Sequence, residues 1–444
     1  MELDLGAVDV KSITAYRDSD TRNSSDIDGT PANLVGATGI FQQHQFSEEL
    51  QLSGTVDELD WIGGFFYFDE GGHEVSVSQV LGVLGSPFNL SDASFRAKST
   101  GIFGQLIYHL TDSLRATVGA RYTWDEREIN RHGLTDIAAG ICAVGVNIGT
   151  AAGSDCNDPH SARFHYPAWT AGLDYQLAED LFVYAKTSGA ALAGGFNSRV
   201  TPPGYDAFAP EKVKDIEMGF KADLLDRKLR TNTALFYSWR NNVQNIVNEL
   251  NNGQLTQYQR NAGKVEAYGA EFEGTLLPWD GMEITTAAAY LHAAYVKGSF
   301  EVNGLGGPVD RSDERVNQAP KWTASLGATQ SFDSLWGRPS FHIDYSYVAS
   351  RSYYQDTPDP NNPAQSPAEY AEANRLGVLG GYGVFNARIG LNVDEPDIEV
   401  SFWARNLTDT KYYQNEFNSW TGLGIAAEYQ GTPRTYGMTV GYHW

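Results

Sequence analysis

Nowhere in the 444 residues is there a run approaching the roughly 20 apolar residues that a membrane-spanning helix requires, and the mean hydropathy is negative. Helical membrane proteins are thereby excluded. A transmembrane β-barrel is not, because its lumen face is polar and each strand needs only about ten residues with alternate apolar positions. Cations are also scarce, 32 Lys and Arg against 55 Asp and Glu, for a formal charge of −23. The average surface therefore repels a phosphate backbone, and nucleic acid is not expected as a partner. Cysteine is nearly absent: Cys142 and Cys156 are the only two, far from a CxxC spacing. The nine His include no HExxH and no pair at ligand spacing beside carboxylates, so no metal site and no cofactor are expected, and His160 and His165 read as solvated loop residues. No nucleophile motif stands out among Ser, His and Asp, which leaves the expected catalytic set empty. The GLGG run at Gly304 to Gly307 lacks the following helix that a phosphate cradle needs and reads as loop glycine. Finally, Met1 to Asp18 has no basic region followed by an apolar core, so it is not a secretory signal.

What is present is strand and turn chemistry: 24 Tyr, 21 Phe, 10 Trp and 46 Gly. The dominant pattern is period-two alternation. Leu114, Ala116, Val118, Ala120, Tyr122 and Trp124 share one face, and Arg115, Thr117, Gly119, Arg121, Thr123 and Asp125 the other. The same alternation recurs at Trp169 to Leu177, Phe341 to Tyr347 and Phe385 to Val393. It also closes the sequence, where Tyr436, Met438, Val440, Tyr442 and Trp444 oppose Thr435, Gly437, Thr439, Gly441 and His443.

The pattern predicts sixteen strands, near 3–18, 40–54, 59–77, 95–111, 113–128, 161–177, 181–190, 211–225, 228–249, 254–278, 282–298, 321–333, 338–356, 378–394, 397–409 and 431–444. Seven tight links are expected, at Thr55–Glu58, around Asp112, at Ala178–Asp180, at Asp226–Arg227, around Asp280, at Asp333–Gly337 and at Glu395–Pro396. Between them lie long polar loops at 19–39, 78–94, 129–160, 191–210, 299–320, 357–377 and 410–430, with 250–253 the short exception. Long and short links that alternate in this way are the mark of an antiparallel transmembrane barrel with outer loops and inner turns. A soluble propeller or sandwich is the alternative, but nothing in those folds requires the alternation.

Several segments resemble TonB-dependent receptors, in the order that family uses. They are KSITAYRD at Lys11 to Asp18, FSEELQLSG at Phe46 to Gly54, LDWIGGFFYFDE at Leu59 to Glu70, PEKVKDIEMGFKADLLD at Pro210 to Asp226, NAGKVEAYGAEFEG at Asn261 to Gly274, SFWARNLTD at Ser401 to Asp409 and GTPRTYG at Gly431 to Gly437. The resemblance implies an outer-membrane transport protein of a Gram-negative bacterium, with a barrel of about twenty-two strands around an N-terminal plug. It implies uptake of a siderophore, vitamin, saccharide or similar nutrient driven by the TonB complex. The plug, the TonB-contacting box and about six initial strands have no counterpart here, so residues 1–444 read as the later barrel portion only, and TonB becomes a partner only where a plug is supplied. The run AGGFN at Ala193 to Asn197 fits the family, whereas the preceding Ser188 to Leu192 departs from it.

In that setting the expected partners are outer-membrane lipid and lipopolysaccharide, the barrel assembly machinery reading the final aromatic strand, and an unidentified nutrient. The sequons at Asn89 and Asn406 are then accidental. Cys142 and Cys156, in the longest predicted outer loop, are expected to form a disulfide in an oxidising compartment, with two free thiols as the alternative. Arg115, Arg121, Asp174, Asp344, Arg388, Glu399 and Arg405 face the lumen, either along a solute path or, as favoured here, paired with one another across the wall. Outer-loop Tyr353, Tyr354, Tyr370 and Trp420 contact either a ligand or neighbouring loops. Two other functions stay open: a plugless sixteen-strand diffusion channel and an outer-membrane enzyme.

Overall fold

A computed structural model describes all residues except 145–148, 150–155, 200, 202–203, 252–253, 299, 302–308, 311, 313, 354–365, 394, 396 and 443–444. Tyr354, Trp444 and the GLGG run at Gly304 to Gly307 thus lie outside the described residues.

Sixteen long strands form one antiparallel sheet: β1 (Asp9–Asp26), β2 (Val35–Val56), β3 (Leu59–Val80), β4 (Asn89–His109), β5 (Leu114–Asp136), β6 (Asn157–Ala178), β7 (Leu181–Leu192), β8 (Glu211–Leu224), β9 (Leu229–Asn241), β10 (Lys264–Leu276), β11 (Met282–Tyr295), β12 (Trp322–Ser331), β13 (Arg338–Val348), β14 (Tyr382–Val393), β15 (Ile398–Arg405) and β16 (Thr435–Tyr442). Each pairs with its neighbour in sequence. Among the described residues no pairing joins β16 to β1, whose outer edge carries only the short strand Glu2–Asp4. Six of the tight links stand where expected, positive φ angles at Asp57, Leu225, Asp226 and Arg227 closing two of them, and the seventh, at Glu395–Pro396, lies partly outside the described residues.

In the outer half the strands depart from the ends that alternation predicts. Strands β1 to β6 run beyond their predicted ends, β5 to Asp136 and β6 from Asn157, because above the membrane both faces are polar and period two disappears. His165 accordingly lies within β6, exposed and directly across from Trp124, and His160, also in β6, stacks on Phe196 while bonding Asp158, so neither is a loop residue. The strands predicted at 228–249 and 254–278 each break. Asn242 and Gly263 take positive φ, and Gln244–Asn251 pairs with Gln254–Asn261 as a separate hairpin above the wall. The short exception at 250–253, of which 252–253 lie outside the described residues, therefore falls within an outer segment spanning 242–263. Two more outer loops contain regular structure where coil is expected. One holds helix α1 (Pro367–Leu376); the other holds the hairpin Tyr413–Ser419 with Ile425–Gln430 around the short helix α2 (Trp420–Leu423).

The apolar distribution is inverted relative to a protein in water. Val118, Leu173, Met218, Leu235, Leu326, Ile389, Phe402 and Met438 all point outward from the sheet and are more than half exposed. The other face buries Asp125, Arg131 and Glu211. Such a contiguous apolar exterior needs a non-aqueous surround, and antiparallel pairing meets the backbone groups of the strands lying between β1 and β16.

Candidate functional site

All seven lumen-facing charged residues singled out by alternation sit on the inner face and engage partners there. Arg115 pairs with Asp174 at 3.6 Å, and Arg388 contacts Glu399. Arg121 lies over the rings of Phe66 and Phe103, at 5.0 and 6.0 Å, and donates to Thr123 Oγ1. Asp344 accepts from Asn386 Nδ2 at 2.7 Å with His342 nearby, and Arg405 stacks over Trp403. These contacts brace the wall, and among the described residues no group of three or more His, Cys, Asp or Glu side chains is placed to hold a metal ion.

The Cys142 and Cys156 sulfurs are bonded to each other with Cα atoms 5.2 Å apart, inside the usual range. Tyr436, Met438, Val440 and Tyr442 point outward along β16, each exposed.

The richest assembly lies above the wall, in positions that alternation does not register. The 191–210 loop folds inward and is clamped at Asn197. Its amide donates to Tyr205 O at 2.7 Å and Gln259 O at 2.9 Å, while Gln259 N donates to Asn197 Oδ1 at 2.7 Å. The preceding glycines permit this turn: a Cβ on Gly194 would meet Phe208 O at 2.4 Å. Arg131, with its side chain only 3% exposed, contacts Asp158, Asp206 Oδ1 at 2.8 Å and Asn197 O. For Asp158, burial opposes ionisation, but His160 and Arg131 outweigh it and hold the carboxyl below its ordinary value. From the same loop, Ser198 Oγ and Arg199 reach Glu74 on β3 at 2.9 and 3.1 Å.

The family-like motifs serve as the fixtures of this layer. Buried Glu211 accepts from Arg240 Nε and Gln244 N, both at 2.7 Å. Asn261 Oδ1 accepts from Ala209 N at 2.7 Å. Asn406 is 2% exposed; it donates to Thr410 O and Thr432 O and accepts from Thr410 N, while Arg434 N donates to Asp409 Oδ1. The ARNLTD and PRTYG segments thus form one knot at the base of the last outer loop.

Between these loops and the outer ends of β1 to β4 lies a cavity of 370 Å³. Asn23, Ser25, Ser76 and Ser78 with the apolar Val35, Ala37 and Val80 are on its wall side, and Arg199, Tyr353, Glu416, Phe417 and Tyr429 on its loop side. Strands β1 to β4 can face the loop joining β15 to β16 only if the sheet has rolled about a lumen. Glu416 is 4% exposed, and its Oε1 accepts from Asn418 Nδ2 at 2.9 Å, which also donates to Ala373 O of α1. Burial pushes the Glu416 carboxyl up, the Asn418 amide opposes it and Glu428 adds to it, leaving it at about 7. Of the outer-loop aromatics singled out in the sequence, Tyr353 lines the cavity, Tyr370 is buried in α1 and Trp420 opens α2.

Comparison with known proteins places this architecture. The family described as TonB dependent receptor-like, beta-barrel matches residues 2–407. The metal-pseudopaline receptor CntO of Pseudomonas aeruginosa is 26% identical over 57% of this chain and 31% of its own length. The catecholate siderophore receptor Fiu of Escherichia coli K12 is 25% identical over 69% of this chain and 36% of its own length. The crystal structure of the ferric yersiniabactin uptake receptor FyuA from Yersinia pestis superposes with a TM-score of 0.76 at 17% identity, covering 99% of this chain and 59% of that one. The matched stretch therefore spans about a third of these curated relatives.

Proposed function

This chain belongs to the TonB-dependent receptor β-barrel family of the Gram-negative outer membrane, and from that premise we propose that it forms the wall and outer mouth of a receptor importing a scarce metal chelate or comparable small nutrient. The observation that carries the reading is the cavity itself: four outer loops meet over the wall and leave a partly open chamber large enough for part of a small chelate. The relatives are named for metal chelates and siderophores, which supports that ligand class over saccharides or vitamins. Residues 1–444 act as one barrel domain. Energy coupling runs through the TonB complex where a plug is supplied. Outer-membrane lipid surrounds the apolar band, lipopolysaccharide meets the charged outer wall, and the assembly machinery reads β16 and the aromatic residues that end it. The Cys142–Cys156 bridge restrains its loop; thiol titration of unreduced, denatured protein should find no free sulfhydryl.

The test is uptake of radiolabelled iron chelates by cells producing the full gene product, with and without a functional TonB complex. Uptake that disappears with TonB supports the receptor. Uptake that persists without TonB, together with steady conductance in planar bilayers, would replace it with a passive sixteen-strand channel. A family of transport receptors gives no support to the enzyme alternative, which would require turnover abolished by substituting one lumen Ser, His or Asp.

A further inference from the structure

The cavity under the outer loops is chemically lopsided. Its wall side mixes short hydroxyl and amide side chains with the apolar Ile27, Val35, Ala37 and Val80, and carries no charge. On its loop side, Glu416 Oε1 has the Asn418 amide, but Oε2 is buried with no hydrogen-bond partner among the described residues. A desolvated carboxylate oxygen without a donor is among the costliest groups to leave unmet, so such an oxygen on a residue that lines a chamber marks the place where an arriving donor would be met. The one cation among the described lining residues, Arg199, is already engaged by Glu74. Glu428 stands directly across the hairpin from Glu416 and adds a second negative charge.

Resting on the receptor reading above, we propose that this cavity selects a neutral or cationic, hydrogen-bond-donating metal chelate, with Glu416 Oε2 accepting from an ammonium, hydroxyl or amide of the ligand, and that it discriminates against polyanionic chelates. The small wall residues leave room for the ligand body, and Asn23, Ser25 and Ser76 offer it neutral hydrogen bonds. A triply anionic chelate would bring charge toward Glu416, Glu428 and Glu74, and the one guanidinium among the described lining residues, Arg199, is already engaged.

The preference is pH-dependent. Groups facing Glu416 are Asn418 on its own strand, Glu428 from the paired strand and Tyr353 from the segment after β13, with Tyr429 lining the same cavity and Arg351 close by in sequence to Tyr353. Arg351 donates to Gln414 O. Beyond them are the Arg199–Glu74 pair and, from α1, buried Tyr370 with the Glu369, Glu372 and Arg375 side chains. With its carboxyl near pH 7, Glu416 is charged at pH 8 and mostly protonated at pH 6.

The experiment titrates the full-length product, purified from outer membranes, by intrinsic fluorescence quenching. Three probes are used: an iron(III) trihydroxamate with a pendant ammonium, its neutral N-acetylated counterpart and an iron(III) tris-catecholate. At pH 8 the cationic probe is expected to bind about tenfold tighter than the neutral one, as one charge-assisted contact allows, and the tris-catecholate weakest. Glu416→Gln, or pH 6, should shrink the cationic-to-neutral gap to about twofold, while Glu369→Gln on exposed α1 leaves it intact. Unchanged heat-modifiable migration on electrophoresis verifies that the Glu416→Gln barrel is folded. Tris-catecholate binding as tight as the cationic probe, or a gap that survives Glu416→Gln, overturns the proposal while leaving the receptor reading in place. Binding of none of the three overturns both.

Discussion

Strands β2 to β6 are 21 to 23 residues long, whereas β8 to β16 run 8 to 14. At about 3.3 Å per residue the first set reaches roughly 70 Å and the second no more than about 45 Å, so one side of the wall stands well above the membrane and the other ends near it. The short side recovers height with folded loops: the Gln244–Asn261 hairpin, α1 and the Tyr413–Gln430 hairpin. The tall side is held by regular ladder bonds, the short side by single buried polar residues such as Asn197, Glu211 and Asn406. The cavity sits where the two constructions face each other, so its shape depends on both and its chemistry mainly on the second.

The largest effect expected is in the apolar band that both sides share. Leu173→Arg or Val118→Arg should cost roughly 2 to 4 kcal/mol, read from urea unfolding in lipid vesicles, whereas Val77→Lys in the upper tall wall should cost under about 0.5 kcal/mol. Equal costs at the two heights would erase the distinction between membrane band and outer wall.

Next comes the buried acid of the short side. An unfolded Glu416 ionises near 4.5 and the folded one near 7, so between those values the folded hairpin holds more protons and its stability falls as pH rises. The loss is on the order of 3 kcal/mol, complete above pH 7 and absent below about 4.5. Opening free energies from hydrogen exchange of the 413–430 amides should therefore be smaller at pH 8 than at pH 5.5, and Glu416→Gln should flatten the difference. A wild-type hairpin insensitive to pH would mean that Glu416 is solvated.

Asn406→Ala should destabilise the last loop by about 1 to 2 kcal/mol, because Thr410 N and Thr432 O lose their partner in a buried knot; limited proteolysis near 406–413 measures it. Smallest of all, Arg163→Ala on the tall side should move the unfolding midpoint by less than about 0.5 kcal/mol, since its 2.9 Å pair with Glu126 is 83% exposed on the arginine side.

The membrane half of this protein was legible because lipid outside and water inside impose period two on residues such as Leu114 to Asp125. Above the bilayer that constraint lapses, so the ends of β5 and β6 could not be read from alternation. The breaks at Asn242 and Gly263 had weak local cues, an Asn and a Gly that tolerate positive φ inside otherwise continuous polar strands. Helix α1 had clearer ones: Ser366 before Pro367, Glu369 in the first turn, Arg375 in the last and Gly377 after it, a pattern hidden by the polar loop around it. Glu416 and Asn197 had none. Their roles come from burial among loops distant in sequence, and no local spacing encodes that.

Every ladder in the wall joins strands adjacent in sequence, while the ties that gather the loops do not. Arg199 meets Glu74 across 125 positions, and Asn197 meets Gln259 across 62. Folding rate is governed by how far along the chain contacts must be sought, so the wall can be laid down one hairpin at a time with little search. The loop ties can close only after the sheet has curved enough to bring them within reach. The chamber is then the last part of the molecule to become ordered, and its appearance reports that the wall beneath it is already in place.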